Sequence, residues 1–399
     1  MNLRDDARAL SPDLTRLRHT LHRIPEVGLD LPRTQEAVLT ALDGLPLEVS
    51  TGAGLSSVTA VLRGARPGPT VLLRGDMDAL PVTERTGLDI AAEGDRMHAC
   101  GHDLHTTMLA GAARLLSAHR DRLAGNVLFM FQPGEEGFNG AGHMLDEGVL
   151  DATGDRPVAA YALHVTSGNW PAGTFATRTG PIMASSNVLK VTVHGAGGHG
   201  SAPHQAKDPV PVACEMVTAL QTWVTRNIDV FDPVVVTVGA FHAGTQANII
   251  PDTAEFTATL RSFSPENLEK LREGTVAVCE GLAAAHGLRA DAHFIDQYPV
   301  TVNDRAESAF AADTVREVHG EEHFAPMDHP ILGAEDFSRV IAEVPGAMVF
   351  LGATLPDRDP ETAPSNHSPL AAFDDAVLAD GTALYAELAA RRLAVAAGS

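Results

Sequence analysis

A cysteine and a histidine separated by one glycine form the most reactive stretch of this sequence. Cys100 and His102 flank Gly101, and apolar residues at helical spacing predict a helix over 106–118. In an extended segment Cys100 and His102 would point to the same side, and Gly101 would let the backbone approach a bound group closely. We therefore expect this cluster on a loop that enters a helix, where its side chains converge on a bound ion.

Other side chains that can bind an ion follow predicted strands or precede predicted helices. Open α/β sheets bind ligands at the carboxyl edge of their strands, so loops that are distant in sequence meet there. Taken singly, each acid also fits a solvated loop, and a lone histidine after a strand is more often structural. The side chains expected to meet are Cys100, His102, Glu136, His164 and His367, with Asp76, Asp78, Asp103 and Glu135 nearby.

Candidate ligands of mixed chemistry predict a centre with two metal ions. Thiolate, imidazole and carboxylate together suit Zn²⁺, Mn²⁺, Ni²⁺ or Co²⁺. The set is too large for one tetrahedral ion with an open position, whereas two ions that share a bridging ligand use all of it. Such a centre activates water, and a carboxylate outside the ligand set must carry the proton to a leaving amine. Glu135 is our choice because it neighbours the candidate ligand Glu136.

The order of the predicted elements indicates two domains. Strands and helices alternate up to position 183 and again from 297, which predicts a mainly parallel sheet flanked by helices. The order between 184 and 296 is β-α-β-β-α-β, which predicts an inserted ferredoxin-like α+β domain. We therefore expect an α/β catalytic domain formed by 1–183 and 297–399, and a second domain formed by 184–296.

Two of the candidate histidines lie at predicted element boundaries. A strand over 157–163 is expected to end just before His164. Ser368 as the N-cap and Pro369 as the first helical residue predict that the last helix begins directly after His367. Both histidines should then stand on loops that face the ligand-binding edge of the sheet.

The composition indicates an acidic cytoplasmic protein. The chain has 399 residues and a formal net charge of −22, so nucleic acid and anionic membranes are not expected as partners. Three distant cysteines, Cys100, Cys214 and Cys279, argue against a disulfide framework and for a reducing compartment. We expect no secretory signal in the charged start and no membrane span, because no apolar run is long enough to cross a membrane. The glycine-rich stretch 195–201 lacks the Lys-Ser/Thr ending of a phosphate loop, so we expect no nucleotide site there.

Four motifs in the chain resemble those of the N-acyl-amino-acid amidohydrolases. This group comprises hippurate hydrolases, bacterial aminoacylases and plant indole-acetyl-amino-acid hydrolases, within the carboxypeptidase G and aminoacylase-1 superfamily. The resemblance covers nearly the whole chain and implies cleavage of the amide bond between an acyl group and an amino acid. The motifs are, in order, Arg74-x-Asp76-Met77-Asp78-Ala79-Leu80-Pro81, Cys100-Gly101-His102-Asp103, Phe131-Gln132-Pro133-x-Glu135-Glu136-Gly137 and Gly197-Gly198-His199.

The resemblance implies a role for each residue of the expected catalytic site. It makes Cys100 a bridging ligand, Glu135 the general base and acid, and Asp76 an acid that supports the ligands. Arg74 stands where other branches have a histidine, which points to the branch with a cysteine ligand. The metal ligands that the resemblance implies are Cys100, His102, Glu136, His164 and His367.

The resemblance also implies that the inserted domain serves as a lid and as the interface of a homodimer. His199 would hold the carbonyl or carboxylate group of the substrate, and Asn248 would lie near the carboxylate. Arg261 is a further candidate for the same role. The expected partner is therefore a small N-acyl amino acid.

Departures from the family pattern leave the substrate and the reaction open. Leu104 and Gly134 are unusual, and the segment 138–143 replaces a plainer glycine-rich run, which bears on the acyl pocket. No residue separates an amidohydrolase from a related carboxypeptidase or dipeptidase. A non-catalytic binding homologue is a third hypothesis, and the intact ligand set with Glu135 argues against it. Three further histidines are expected to be supporting or structural, namely His98, His105 and His143.

Overall fold

The computed structural model describes residues 2–398. Its helices are α1 (Leu3–Ala9), α2 (Ser11–His22), α3 (Pro32–Leu42), α4 (His102–Ala118), α5 (Gly140–Asp146), α6 (Pro209–Asn227), α7 (Pro265–Ala285), α8 (Arg305–His319), α9 (Phe337–Glu343) and α10 (Val377–Gly398). Its strands are β1 (Leu47–Thr51), β2 (Val58–Arg63), β3 (Arg66–Asp76), β4 (Ala124–Gln132), β5 (Ala159–Thr166), β6 (Phe175–Thr177), β7 (Gly180–Met183), β8 (Ser186–His194), β9 (Gly198–His199), β10 (Val234–Ala243), β11 (Ile249–Ile250), β12 (Thr253–Ser262), β13 (Arg289–Tyr298), β14 (Thr301–Asn303), β15 (Phe324–Pro326) and β16 (Gly346–Gly352). Within the described range, no helix has the length and apolar character needed to span a membrane.

The chain divides into two compact units. The smaller unit consists of Met183–Thr301 and Pro330–Glu335, and the larger unit contains the rest of the chain. The expected insert, 184–296, lies inside the smaller unit, which also includes a short segment that the sequence did not predict. That segment belongs there because the backbone N–H of Ala184 donates to the carbonyl oxygen of Ile331 (3.1 Å).

The larger unit is built on a mainly parallel sheet with the strand order β1-β2-β4-β3-β5-β16-β6-β15. The strands β4, β3, β5 and β16 run parallel, whereas β1–β2 and β2–β4 are antiparallel pairs. Every residue of β5 and β16 is buried. Parallel strands covered on both faces appear in a sequence as unbroken apolar runs, and the predicted α/β fold is confirmed.

Side chains of the parallel strands point alternately into two helical layers. Val71 and Leu73 of β3 pack in the core that contains α4 and α10, whereas Leu72 packs in the core that contains α5 and α9. This alternation follows from the two-residue period of a strand. The carboxyl ends of the parallel strands share one edge, so the segments after β3 and β4 and the first turn of α4 meet there.

The smaller unit has a four-stranded antiparallel sheet with the order β10-β12-β8-β13. Buried residues alternate along β12, and α6 and α7 pack against that buried face. In their order along the unit the strands lie 2-3-1-4, with one helix after the first strand and one after the third. This is the ferredoxin-like arrangement that the sequence predicted.

The expected start of the last helix is wrong. α10 begins at Val377 rather than at Pro369. The side chain of Ser368 accepts a hydrogen bond from the backbone N–H of Leu370 (3.1 Å) and so closes a turn instead of a helix. His367 therefore lies on a loop between β16 and α10, and the Ser-Pro signal marks that loop.

Candidate metal centre

The segment from Cys100 to His102 enters α4 through a left-handed residue. Gly101 caps the helix with a φ of +85°, and His102 is the first helical residue. A Cβ at position 101 would lie 2.4 Å from Cγ2 of Val165, so the backbone angle and the packing both require glycine. The expected extended geometry is wrong because Gly101 turns the chain directly into the helix.

Cys100, His102 and His164 form the first of two groups around one thiol. All three are buried, and one ligand atom of each lies within 4.8 Å of the others. Sγ of Cys100 is 3.5 Å from Nε2 of His164. The expectation that a strand ends before His164 is wrong, because β5 continues to Thr166. This histidine therefore stands on a regular strand.

Cys100, Glu136 and His367 form the second group, with the same 4.8 Å limit between ligand atoms. Nε2 of His367 lies 3.3 Å from Sγ of Cys100 and 3.1 Å from Oε1 of Glu136. Glu136 belongs to the turn after β4, and His367 belongs to the loop after β16. Cys100 is common to both groups, which is the position that a bridging ligand would need.

The donor atoms of the two groups fit divalent metal ions. Within residues 2–398, both ring nitrogens of His102 and Oε1 of Glu136 are buried and make no hydrogen bond of normal geometry, although Oδ1 of Asp78 lies 3.3 Å from Nδ1 of His102 and Nε2 of His367 lies 3.1 Å from that Oε1. Buried polar atoms normally make hydrogen bonds, so buried atoms that lack one and converge on a thiol indicate a cation site. Sulfur, nitrogen and oxygen together suit Zn²⁺, Mn²⁺, Ni²⁺ or Co²⁺. Two ions sharing Cys100 would use every predicted ligand.

The electrostatic surroundings favour the thiolate form of Cys100. Burial alone would raise the pKa of this thiol, but the charges of His164 and His102 outweigh burial and hold the pKa well below its usual range. Burial, together with the charge of Cys100, raises the pKa of Glu136. Because the thiolate is the form that binds metal, the lowered pKa favours the form of Cys100 that can bind a cation.

Asp78 holds the turn that carries both glutamates. Its Oδ1 accepts a hydrogen bond from the backbone N–H of Glu135 (3.0 Å), and its Oδ2 accepts one from that of Glu136 (3.1 Å). A carboxylate oxygen of Glu135 lies within 4.8 Å of ligand atoms of His102 and Glu136. Glu135 therefore stands beside both groups without belonging to either, as a proton carrier would.

Asp76 is a fully buried carboxylate with charged neighbours. Nη1 of Arg74 donates to its Oδ2 (2.6 Å), and Nδ1 of His105 lies 2.6 Å from its Oδ1. Burial alone would raise the pKa of Asp76, but the charges of Arg74 and His102 hold it well below its usual range. Because its Oδ2 is 3.6 Å from Nε2 of His102, this carboxylate supports a predicted ligand.

Asp336 is a buried acid that the sequence analysis missed. It accepts hydrogen bonds from Nη2 of Arg74 (3.0 Å) and from Nε2 of Gln132 (2.8 Å). Gln132 in turn accepts a hydrogen bond from Nε of Arg74 (2.8 Å). A signal did exist, because an arginine in an apolar strand requires a buried counter-charge. The acid before α9 was available for that role.

Residues 72–391 match the Peptidase family M20/M25/M40. The chain belongs to this peptidase family. Thermostable carboxypeptidase 1 of Saccharolobus solfataricus is 36% identical over 394 residues, which is 98% of each chain. Hippurate hydrolase of Campylobacter jejuni is 34% identical over 397 residues, which is 98% of this chain and 100% of that protein. The resemblance to the N-acyl-amino-acid amidohydrolases is thereby confirmed.

A solved structure from the same peptidase family shares the fold of this chain. It is a dinuclear metal-binding peptidase of the M20 family from Bacillus subtilis, 30% identical in sequence. The superposition has a TM-score of 0.82 and covers 97% of this chain and 99% of that protein. That relative binds two metal ions, the number that the two groups around Cys100 would accommodate.

The candidate substrate-binding residues of this M20/M25/M40 chain fall in the smaller unit and do not all lie together. Strands β9 and β11 pair, and the N–H of Gly200 donates to the carbonyl oxygen of Asn248 (2.9 Å), so His199 and Asn248 are neighbours. Both are exposed. Arg261 lies at the end of β12 away from β11 and donates to Oγ of Ser186 (2.9 Å). A role for Arg261 at the substrate carboxylate stays a prediction.

The three further histidines near the motifs lie outside the two groups around Cys100. Nδ1 of His105 faces Asp76, and its Nε2 accepts a hydrogen bond from the backbone N–H of Val165 (2.7 Å), so both ring nitrogens are engaged. His98 is buried, and burial lowers its pKa to about 4. His143 is an exposed residue of α5.

Proposed function

We propose that this chain is a metal-dependent amidohydrolase that cleaves N-acyl amino acids to a carboxylic acid and a free amino acid. The observation that carries the proposal is the pair of three-residue groups that share Cys100, with Glu135 beside them. Family membership and the likeness to a dinuclear peptidase support an amide-hydrolysing centre with two divalent ions. The ligands in this proposal are Cys100, His102, Glu136, His164 and His367.

Glu135 carries the proton in the proposed reaction. Two Zn²⁺, Mn²⁺, Ni²⁺ or Co²⁺ ions, when bound, would supply a polarised water and stabilise the charge that develops on the substrate carbonyl oxygen. Glu135 takes a proton from the attacking water and passes it to the leaving amine. Asp78 holds the backbone of Glu135 in place before the substrate arrives, while Asp76 supports His102.

The smaller unit recognises the substrate in this proposal. His199 and Asn248 bind the carbonyl or carboxylate group of a small N-acyl amino acid, and Arg261 is a further candidate. The likeness to a hippurate hydrolase over the whole length of both chains supports this substrate class. We also propose a cytoplasmic homodimer that forms through the smaller unit. Light scattering that gave the mass of a monomer at working concentration would contradict the dimer.

Replacing Glu135 by glutamine tests the proposed reaction. The variant keeps the shape of the side chain and loses its basic oxygen, so kcat on N-acetyl and N-benzoyl amino acids should fall by about 10²–10⁴-fold. Metal analysis should still find two ions per chain. Glu147→Gln is the matched control, because Glu147 accepts hydrogen bonds from the backbone of Ala53 and Gly54 outside both metal groups. Near-normal turnover in Glu135→Gln would contradict the assigned role.

A carboxypeptidase is the second candidate function, favoured by the 36% identity to thermostable carboxypeptidase 1. Both reactions release a free amino acid and differ in the acyl side of the cleaved amide bond, which is a simple acyl group in one and a peptide in the other. Comparison of kcat/KM for N-acyl amino acids, dipeptides and longer peptides separates them. Preference for simple acyl groups supports the amidohydrolase, preference for peptides supports the carboxypeptidase or a dipeptidase, and no turnover of any substrate supports a binding protein.

A further inference from the structure

The parallel pairing of β3 with β5 stops before either strand ends. The paired residues are 71–74 of β3 and 159–162 of β5. Beyond them, β3 stays paired with β4 up to Asp76, and β5 stays paired with β16 up to Thr166. The sheet therefore opens between these two strands at the level where the candidate ligands begin.

The hydroxyl group of Tyr385 occupies the first position in this opening. It donates a hydrogen bond to the carbonyl oxygen of Arg74 (2.6 Å) and accepts one from the backbone N–H of Leu163 (2.9 Å). In a continued parallel ladder this carbonyl and this N–H would bond directly to each other. Tyr385 belongs to α10 and is fully buried, so its oxygen bridges the two backbone groups that a parallel ladder would join directly.

The imidazole of His105 occupies the next position. Its Nε2 accepts a hydrogen bond from the backbone N–H of Val165 (2.7 Å), which leaves the proton on Nδ1 to be donated to Oδ1 of Asp76 (2.6 Å). The carbonyl oxygen of Asp76 is already used by Oγ1 of Thr106 (2.7 Å). His105 reaches the opening because α4 lies close to β3. A Cβ at Gly75 of β3 would stand 2.9 Å from the carbonyl oxygen of His105.

We propose that Tyr385 and His105 are positioning residues that hold β3 and β5 apart and thereby set the places of Asp76 and His164. Asp76 ends β3 on one side of the opening, and His164 belongs to β5 on the other side. The inference rests on the proposed function in one respect, namely that the groups around Cys100 bind metal. Both positioning residues act through the strands and not on the substrate.

Loss of the Tyr385 hydroxyl should affect one metal group and spare the other. Without it, the Arg74 carbonyl and the Leu163 N–H are free to bond directly, and that contact draws the adjacent His164 towards β3. The group formed by Cys100, Glu136 and His367 should keep its geometry. Its second and third members stand on the turn after β4 and on the loop after β16, outside the two strands β3 and β5.

A cobalt titration of the metal-free Tyr385→Phe protein tests the inference. Co²⁺ binding is followed by calorimetry and by the thiolate-to-cobalt charge-transfer band of Cys100. One of two binding steps should weaken by about 10–100-fold, the usual effect of removing a group that orients a ligand, while the other step stays unchanged. Tyr161→Phe is the matched control. Tyr161 is likewise a buried tyrosine, but it lies on β5 and its hydroxyl donates to Glu307. This control should bind both ions like the wild type.

The possible results separate the inference from the proposed function. Unchanged affinity at both steps in Tyr385→Phe, or the same loss in Tyr161→Phe, would overturn the inference. If Tyr385→Phe does not fold, His105→Asn replaces it, because asparagine keeps a donor for Asp76 and removes the acceptor for the Val165 N–H. That variant should show the same one-step loss, and two normal steps would overturn the inference. A wild-type protein that binds fewer than two ions would overturn the proposed function as well.

Discussion

The two groups around Cys100 are supported by different parts of the fold. The first takes His102 from the first turn of α4 and His164 from the interior of β5, so both side chains stand on buried, regular elements. The second takes Glu136 from a turn and His367 from a loop. The side chain of His367 is 54% exposed, and its backbone has a positive φ of 71°, a conformation that costs free energy for a non-glycine residue.

In the proposed two-metal centre, this difference predicts two ions of unequal affinity. Ligands on packed elements lose little conformational entropy on binding, whereas loop ligands must be ordered by the ion that they hold. We therefore expect the ion beside His164 to be bound more tightly and the ion beside His367 to exchange more readily. The loop-borne ligands are also the ones that can adjust when a substrate enters.

Cys100→Ser should have the largest effect because this residue is common to both groups. A serine hydroxyl is a poor ligand compared with a thiolate, so both ions should be lost together and kcat/KM should fall by at least about 10³-fold. Metal analysis and hydrolysis assays measure the two effects. Cys214→Ser, at an exposed cysteine, is the control and should behave like the wild type. Retention of one tightly bound ion by Cys100→Ser would show that the groups are independent.

His164→Ala and His367→Ala should differ in degree and so sharpen the comparison. Each variant should retain one ion, but His164→Ala should also lower the thermal unfolding temperature, because it leaves a cavity in a buried strand. His367→Ala removes an exposed side chain and leaves no cavity in the core, so the unfolding temperature of this variant should stay near that of the wild type. Metal stoichiometry and thermal unfolding of the metal-free proteins provide the measurements. Equal destabilisation by both changes would contradict the distinction between the groups.

A buried charge cluster beneath the first group predicts a smaller, pH-dependent effect. Asp103, which follows His102, is 2.8 Å from Nε of Arg18 and 2.8 Å from Nδ1 of His22. Burial alone would lower the pKa of His22, but the charge of Asp103 outweighs it and raises the pKa from 6.5 to about 9. The contribution of this ion pair to the free energy of unfolding is fully present below pH 6.5 and is lost as the pH rises through about 9. It amounts to at most ~3 kcal/mol.

His22→Gln should remove this pH dependence. Thermal unfolding of the wild type should shift to lower temperature as the pH rises from about 6.5 to about 9, and the variant should show a flatter profile with lower stability at the acidic end. His119→Gln, at a partly exposed pair with Asp6, is the control and should keep the wild-type slope. A variant slope equal to that of the wild type would show that His22 does not stabilise α4 through its charge.

The elements that sequence reasoning found are those with a strong local pattern. The helical spacing of apolar residues over 106–118 predicted most of α4, and the strand expected over 157–163 overlaps β5. The elements that it missed lack such a pattern. In α1 only Leu3 and Ala7 are buried among polar neighbours, and β1 is an edge strand with mostly exposed residues. A helix or strand that is buried on one or both faces needs apolar residues at regular positions, and that spacing is the pattern that sequence reasoning detects.

Long-range contacts explain what remained unpredicted at the candidate site. The motif residues were found because their types are informative, and the structure brings them into two groups. Asp336 and Tyr385 lie outside the motifs, and their importance lies in partners far along the chain, such as Arg74 and Leu163. The signal for Asp336 was indirect, because it came from Arg74. The left-handed conformation of Gly101 was equally hidden, since it depends on contact with Val165. Local spacing identifies reactive groups, but it does not identify what holds them.

The position of β16 in the sheet has a consequence for how the protein is made. β16 lies between β5 and β6 but follows both in the chain, after the whole of Met183–Thr301. A ribosome therefore releases β5 long before the strand that must pair with its open edge. Unpaired strand edges promote aggregation, and sheets with distant partners form slowly. The risk of misassembly is therefore greatest in the interval after β5 has been synthesised and before β16 has emerged.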